Sequence, residues 1–120
     1  MNDLARVTIR QRGAIWIVTI RGEIDMSNSQ IVSDEMRGAI PNHAKGVVLD
    51  LTKTFYLDSR GISLVFQMAR RLKVRGQELG IAVPDDAPIR AVLSLTEVAS
   101  VAAIYPTVDA AEAGLLVLDP

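Results

Sequence analysis

The residues best placed to do chemistry are Asp58 and Ser59, which follow an apolar run at 47–51 and a short connecting segment. Apolar residues recur at helical spacing after Ser59, so we predict that this serine opens a helix. A hydroxyl in the first turn of a helix is exposed, and the N–H groups there have no partner inside the helix. Such a position suits a phosphate, so Ser59 is a candidate phosphoacceptor.

The sequence also allows other roles for Asp58 and Ser59. Asp58 and Ser59 are both good helix N-caps, and capping alone would explain them. As a catalytic nucleophile, Ser59 would need the only histidine, His43, which precedes the strand and is expected at its opposite end. The hydrolase pattern Gly-x-Ser-x-Gly is absent because Leu57 takes its first position. Asp50 resembles the phosphoacceptor of a response-regulator receiver, but the acidic pair and late lysine are missing. We therefore predict no enzyme, no metal and no cofactor in this chain.

The elements around Ser59 predict an α/β fold. We expect a half-exposed strand with alternating residues at 7–11, buried strands at 14–20, 47–51 and 79–83, and a short strand at 101–105. Helices are expected from a capping box at Ser27 to Pro41, from Ser59 to Gly76, from Pro88, and after a Thr107 cap. Ile89, Val92 and Leu93 should face inward. This order predicts one mixed, mainly parallel sheet of about four or five strands, with about four helices mainly on one side.

Composition restricts the class of protein. A chain of 120 residues with 49% hydrophobic residues suits one domain, which we place at 1–120. The formal net charge of −1 argues against a nucleic-acid partner. The chain has no cysteine, and no apolar run approaches the roughly 20 residues of a membrane span. We therefore expect a soluble, cytoplasmic protein with no membrane partner.

Five segments, in order, resemble the STAS-domain anti-sigma factor antagonists of bacteria. They are Gly22-Glu23-Ile24-Asp25, the strand 47–51, Leu57-Asp58-Ser59-Arg60-Gly61, the basic helix end 70–76, and the segment 106–111. The third is similar to the family signature Asp-Ser-Ser/Thr-Gly. The resemblance implies a STAS-type single domain and a transcription regulator, often of stress responses. It also implies that the unphosphorylated protein binds an anti-sigma factor and so frees a sigma factor.

The resemblance also implies roles for particular residues. Ser59 aligns with the serine that the anti-sigma factor, itself an ATP-dependent kinase, phosphorylates to switch binding off. ATP and Mg²⁺ would belong to that kinase. We expect the partner-binding surface to include Asp25, Asp58, Arg60, Glu23 and Ser27. The oligomeric state stays open.

Two departures from the family pattern keep an alternative open. Arg60 replaces the second Ser/Thr of the signature, and Thr96-Glu97-Val98 replaces the usual Thr-Gly-Leu. Arg60 lies beside the expected kinase contact. The alternative is therefore a STAS-domain scaffold or subunit, in a stress-signalling or lipid-transport assembly, without regulation by a kinase.

Overall fold

One mixed sheet organises the fold in the computed structural model, which describes residues 4–117. Within this range there are six strands and five helices. The strands are β1 (Ala5–Arg12), β2 (Ile15–Ile24), β3 (Gly46–Asp50), β4 (Thr54–Leu57), β5 (Glu78–Ala82) and β6 (Ala103–Tyr105). The helices are α1 (Ser29–Ala39), α2 (Ser59–Val74), α3 (Pro88–Ser94), α4 (Val98–Val101) and α5 (Val108–Val117).

The strand order is β1-β2-β3-β5-β6, with β4 beside the end of β2. The hairpin β1–β2 is antiparallel and turns at Gly13, whose φ of +60° favours glycine. All other pairs are parallel. The predicted α/β class, with a mixed and mainly parallel sheet, is therefore confirmed.

The two faces of the sheet bury different sets of side chains. Along β2, Val18, Ile20 and Ile24 join a large aliphatic core to which α1–α4 also contribute. Ile15 and Ile17 face the other way and pack with Ala111 and Leu115 of α5. This alternation is what a central strand with two covered faces requires. Helices cover mainly one face, as predicted.

Several predicted boundaries are wrong. Strand β2 does not end at Ile20 but continues to Ile24, because β4 pairs with its last residues. The segment Thr52–Leu57, interpreted as a loop, contains this short strand. Val92 is exposed on α3, whereas Ile89 and Leu93 are buried as predicted. The short helix α4, ahead of the strand predicted at 101–105, was not predicted.

The helix ends agree better with the sequence. Helix α1 stops before Pro41, and Gly76 follows α2 with a φ of +75°. The Thr107 hydroxyl accepts a hydrogen bond from the Ala110 N–H at 3.0 Å, which caps α5 as predicted. Among residues 4–117, no helix combines the length and apolar character needed to cross a bilayer.

Candidate functional site

Asp58, not Ser59, caps helix α2. Its Oδ1 accepts hydrogen bonds from the N–H groups of Arg60 at 2.9 Å and Gly61 at 3.0 Å. Ser59 takes the first helical position and is exposed to solvent. Its hydroxyl forms no hydrogen bond with any residue in the range 4–117. The capping role and the free hydroxyl therefore belong to different residues.

Strand β4 carries the capping residue to the site. Ile24 and Leu57, the last residues of β2 and β4, are parallel partners, and the Asp58 N–H donates to the Ile24 carbonyl at 3.2 Å. The carboxylate of Asp58 also accepts from the Met26 N–H at 3.0 Å through Oδ2. The loops that follow β2 and β4 are therefore joined by a direct hydrogen bond at one edge of the sheet.

Gly61 allows α2 to lie close to this junction. A Cβ atom at residue 61 would lie 2.9 Å from the Ile24 carbonyl oxygen and 3.1 Å from Cδ2 of Leu57. Real Cβ atoms are almost never found so near a backbone oxygen. The glycine of the signature therefore has a packing reason, because only its missing side chain lets the helix start this close to β2.

The carboxylate of Asp25 folds its own loop. Its Oδ1 accepts from the Ser27 hydroxyl at 2.5 Å and from the Ser27 N–H at 2.8 Å. The hydrogen bond from the Ser27 side chain is the largest cause that holds the pKa of Asp25 below its ordinary value. Asp25 is thus a charged, structured group beside the Asp58 junction.

Asn28 is a site residue that the sequence analysis missed. Only 3% of it is exposed, its Oδ1 accepts from the Asp25 N–H, and its Nδ2 donates to the Glu23 carbonyl, both at 2.9 Å. It precedes α1, so the capping box predicted at Ser27 is wrong. Ser27 is held by Asp25 instead. The preference of Asn for turns was the signal available in the sequence.

Glu23 and Arg60 differ in their relation to Ser59. Side chains alternate along β2, so Glu23 lies on the opposite face of the sheet from Ile24 and the α2 helix. Glu23 reaches the loop through its carbonyl, and its part in partner binding stays a prediction. Arg60 is exposed beside Ser59, and its guanidinium has no hydrogen-bond or ionic partner among residues 4–117.

A surface groove runs beside Ser59, between α2 and the start of α4. Ile62, Phe66 and Val98 give it apolar walls, and Arg70 lies over the Phe66 ring, 5.7 Å from its centroid. Glu97 also borders the groove with a φ of −64°, a helical value that does not require glycine. Glu97, which replaces the glycine of the family pattern, therefore changes the side chain at this residue and leaves the backbone unstrained.

The Ser59 hydroxyl is accessible, and no histidine or metal site lies beside it in the described part of the chain. His43 precedes β3 and its ring makes an edge contact with Trp16, 6.4 Å between centroids, at the opposite edge of the sheet from Ser59. Within the described part of the chain, no group of three or more metal-ligating side chains is placed to hold a metal ion. What the geometry provides at Ser59 is a solvent-facing hydroxyl in the first turn of α2, next to the capping residue Asp58.

Solved structures of similar fold support this description of the scaffold. An anti-sigma factor antagonist from Mycobacterium paratuberculosis has a TM-score of 0.84 and 21% identity over 97% of each chain. The anti-sigma factor antagonist SpoIIAA in its unphosphorylated form has a TM-score of 0.70 and 18% identity, covering 92% of this chain and 96% of its own. A stressosome chain has a TM-score of 0.72 and 16% identity, covering 92% and 97%. At these identities the likeness concerns the fold.

The sequence match to a family is independent of this likeness. The profile of the STAS domain matches residues 6–111 of the 120-residue chain. That range contains the hairpin, the loops after β2 and β4, all of α2, and the beginning of α5. The chain belongs to the STAS-domain family.

Proposed function

We propose that this protein is an anti-sigma factor antagonist. Its unphosphorylated form binds an anti-sigma factor that is also a serine kinase, and this binding releases a sigma factor in the bacterial cytoplasm. Phosphorylation of Ser59 ends the interaction. The proposal is supported by the start of α2, where Asp58 caps the helix. The Ser59 hydroxyl is exposed there and has no hydrogen-bond partner among residues 4–117.

A phosphate on Ser59 is compatible with the fold. The group adds about −1.5 to −2 charges and three acceptor oxygens. At the first helical position these charges lie near the positive end of the α2 dipole, where they are stabilising. Ser59 is exposed, so no core residue has to move. The phosphorylated chain therefore keeps its structure and changes its surface.

The change at the surface opposes binding. Asp58 directly precedes Ser59, and the Met26–Asp58 hydrogen bond joins its loop to the loop that carries Asp25, so a phosphate adds negative charge to a surface that is already acidic. The groove bordered by Ile62 and Phe66 lies directly beside Ser59. A partner that covers the neutral hydroxyl and this groove would have to desolvate a phosphate, which is far more costly.

The partner surface we propose is the Ser59 edge of the sheet. It contains Asp25, Ser27, Asp58 and Arg60, with Glu23 at its margin. Met26 adds an apolar contact, since 71% of it is exposed on the loop. The chain itself performs no chemistry in this scheme, and ATP and Mg²⁺ are bound by the kinase.

The test is binding of the cognate anti-sigma kinase, measured by isothermal titration without ATP. We expect Ser59→Ala to bind as the wild type does, and Ser59→Asp to bind at least tenfold more weakly. Ala113→Asp is the matched control, because it adds the same charge at an exposed residue of α5, the helix on the opposite face of the sheet, and should keep full affinity. Thermal unfolding of all variants must show that each is folded. Equal affinity for Ser59→Asp and Ala113→Asp would contradict the proposal.

A second function is favoured by one residue, Arg60. A guanidinium beside Ser59 alters the surface that a kinase reads, which would suit a STAS-domain scaffold in a stress-signalling or lipid-transport assembly. Affinity purification discriminates between the two functions. A histidine-kinase-like ATPase and a sigma factor would favour the antagonist, and transport or scaffold subunits would favour the alternative.

A further inference from the structure

A polar recess between helices α1 and α2 lies beside the proposed phosphorylation site. Arg37 of α1 and Arg60 of α2 border it. The rest of its lining is nearly all hydroxyl and amide groups, including Ser29, Ser33, Ser63 and Gln67. Leu64 is its one apolar member, and no carboxylate lines it. We refer to this feature as the arginine recess.

The two guanidiniums of the arginine recess carry uncompensated charge. Neither the Arg37 nor the Arg60 guanidinium forms a hydrogen bond or an ion pair with any residue in the range 4–117. The carboxylate of Asp34, on the same helix as Arg37, accepts a hydrogen bond from the Gln30 amide at 3.0 Å. The recess therefore offers two cations and several neutral donors, a set that is complementary to carboxylates.

The recess is continued along the same two helices by a narrow apolar cleft. Met36 of α1, Ile40 directly after α1, and Met68 and Leu72 of α2 line it. Arg71 stands on its border without a partner among the described residues, whereas Arg75 donates to Asn42. The basic surface thus continues away from Ser59 along the two helices. A surface of this length favours an extended protein segment as the ligand over a single small anion.

We propose that the arginine recess binds an acidic segment of the protein partner. Carboxylates of that segment pair with Arg37 and Arg60, so Arg60 acts as a specificity residue. The identity of the partner rests on the proposed function above, whereas the recess itself does not. Phosphorylation of Ser59 adds a second effect, because the phosphate on the adjacent residue competes for the Arg60 guanidinium.

The test is a titration of the ¹⁵N-labelled full chain with a capped peptide of six glutamates, at low ionic strength and followed by NMR. We expect saturable shifts of the amides of Ser29, Ser33, Arg60 and Ser63. Arg37→Gln and Arg60→Gln should each weaken binding about two- to fivefold, the range of an exposed ion pair. Arg10→Gln is the control, since Arg10 is an exposed arginine of β1 outside the recess, and its guanidinium has no partner among the described residues. Raising the salt should abolish the shifts.

Four results would overturn the inference. The first two are equal binding of a six-glutamine peptide and unchanged affinity of the Arg37→Gln and Arg60→Gln double variant for the six-glutamate peptide. The third is inorganic phosphate binding as tightly as the six-glutamate peptide. The fourth is a set of recess shifts that depend on protein concentration when no peptide is present. The last result would assign the surface to a second copy of the chain. A failure of this inference can be distinguished from a failure of the proposed function, because the peptide can bind a chain whose Ser59 no kinase modifies.

Discussion

Asp58 and Ser59 are neighbours in sequence, yet they have different tasks at the start of α2. Asp58 accepts three main-chain hydrogen bonds, from Met26, Arg60 and Gly61. The adjacent Ser59 hydroxyl is exposed and has no hydrogen-bond partner among residues 4–117. In the proposed function, the cap at Asp58 lets Ser59 be phosphorylated without loss of the helix.

Replacing Asp58 should therefore cost stability where replacing Ser59 does not. We expect Asp58→Ala to lower the free energy of unfolding by about 1–2 kcal/mol, as lost caps do. Ser59→Ala should stay within about 0.5 kcal/mol of wild type, as exposed substitutions do. Urea unfolding followed by circular dichroism measures both. Similar losses in the two variants would show that Ser59 shares the capping role.

The loop of Asp25 gives a prediction about pH. Hydrogen bonds from Ser27 lower the pKa of Asp25 in the folded state, so its charged form is favoured there. The stability it contributes is present above the unfolded pKa of about 3.9 and is lost as the pH falls through the folded pKa. A carboxyl NMR titration should find the pKa of Asp25 below its ordinary value. Ser27→Ala should raise it, and no change in that variant would contradict the assignment.

Sequence reasoning selected Ser59, Asp58 and Asp25 because each lies in a segment that resembles a family motif and follows a strand, and their functional roles stay predictions. It could not separate the two capping candidates at 58 and 59, because both residue types accept N–H groups and only the backbone geometry selects one. It also chose Ser27 over Asn28 on the spacing of a capping box. The actual contacts of Asn28 reach back to Glu23 and Asp25, and such local tertiary contacts leave no periodic pattern.

At the scale of elements, β4 positions the site and was the hardest element to predict. It has four residues, of which Phe55 and Tyr56 are exposed and only the two ends are buried. This pattern matches neither an alternating nor a fully buried strand. The elements β2, β3, β5 and α2 were predictable because each strand has a continuous apolar run and α2 has apolar residues at helical spacing.

The contact between α2 and the end of β2 can be tested with a pair of glycines. Gly61→Ala should destabilise the protein, because overpacking against the Ile24 carbonyl costs about 1–3 kcal/mol, more than the gain of about 0.5–1 kcal/mol in helix propensity. Gly38→Ala is the matched control within α1, where a Cβ meets no atom within 4 Å. It should stabilise by that smaller amount. Equal effects in thermal unfolding would contradict the close packing at Gly61.

The two cores of the molecule are separate from the surface that carries the candidate site. The helices α1–α4 and the sheet share one aliphatic core, while α5 closes the opposite face with a smaller one. Neither core includes Ser59, Arg37 or Arg60, all of which lie on the α1 and α2 side. We therefore expect a change of charge at Ser59 to alter the affinity for a partner and to leave both cores unchanged.

Intact mass after incubation with the cognate anti-sigma kinase and Mg·ATP tests the claim that Ser59 is the phosphorylated residue. We predict one phosphate on the wild-type chain and none on Ser59→Ala. An active kinase, verified on its own control substrate, that adds no phosphate to the wild-type chain would contradict the claim. A phosphate retained by Ser59→Ala would place the switch at another residue and contradict it equally.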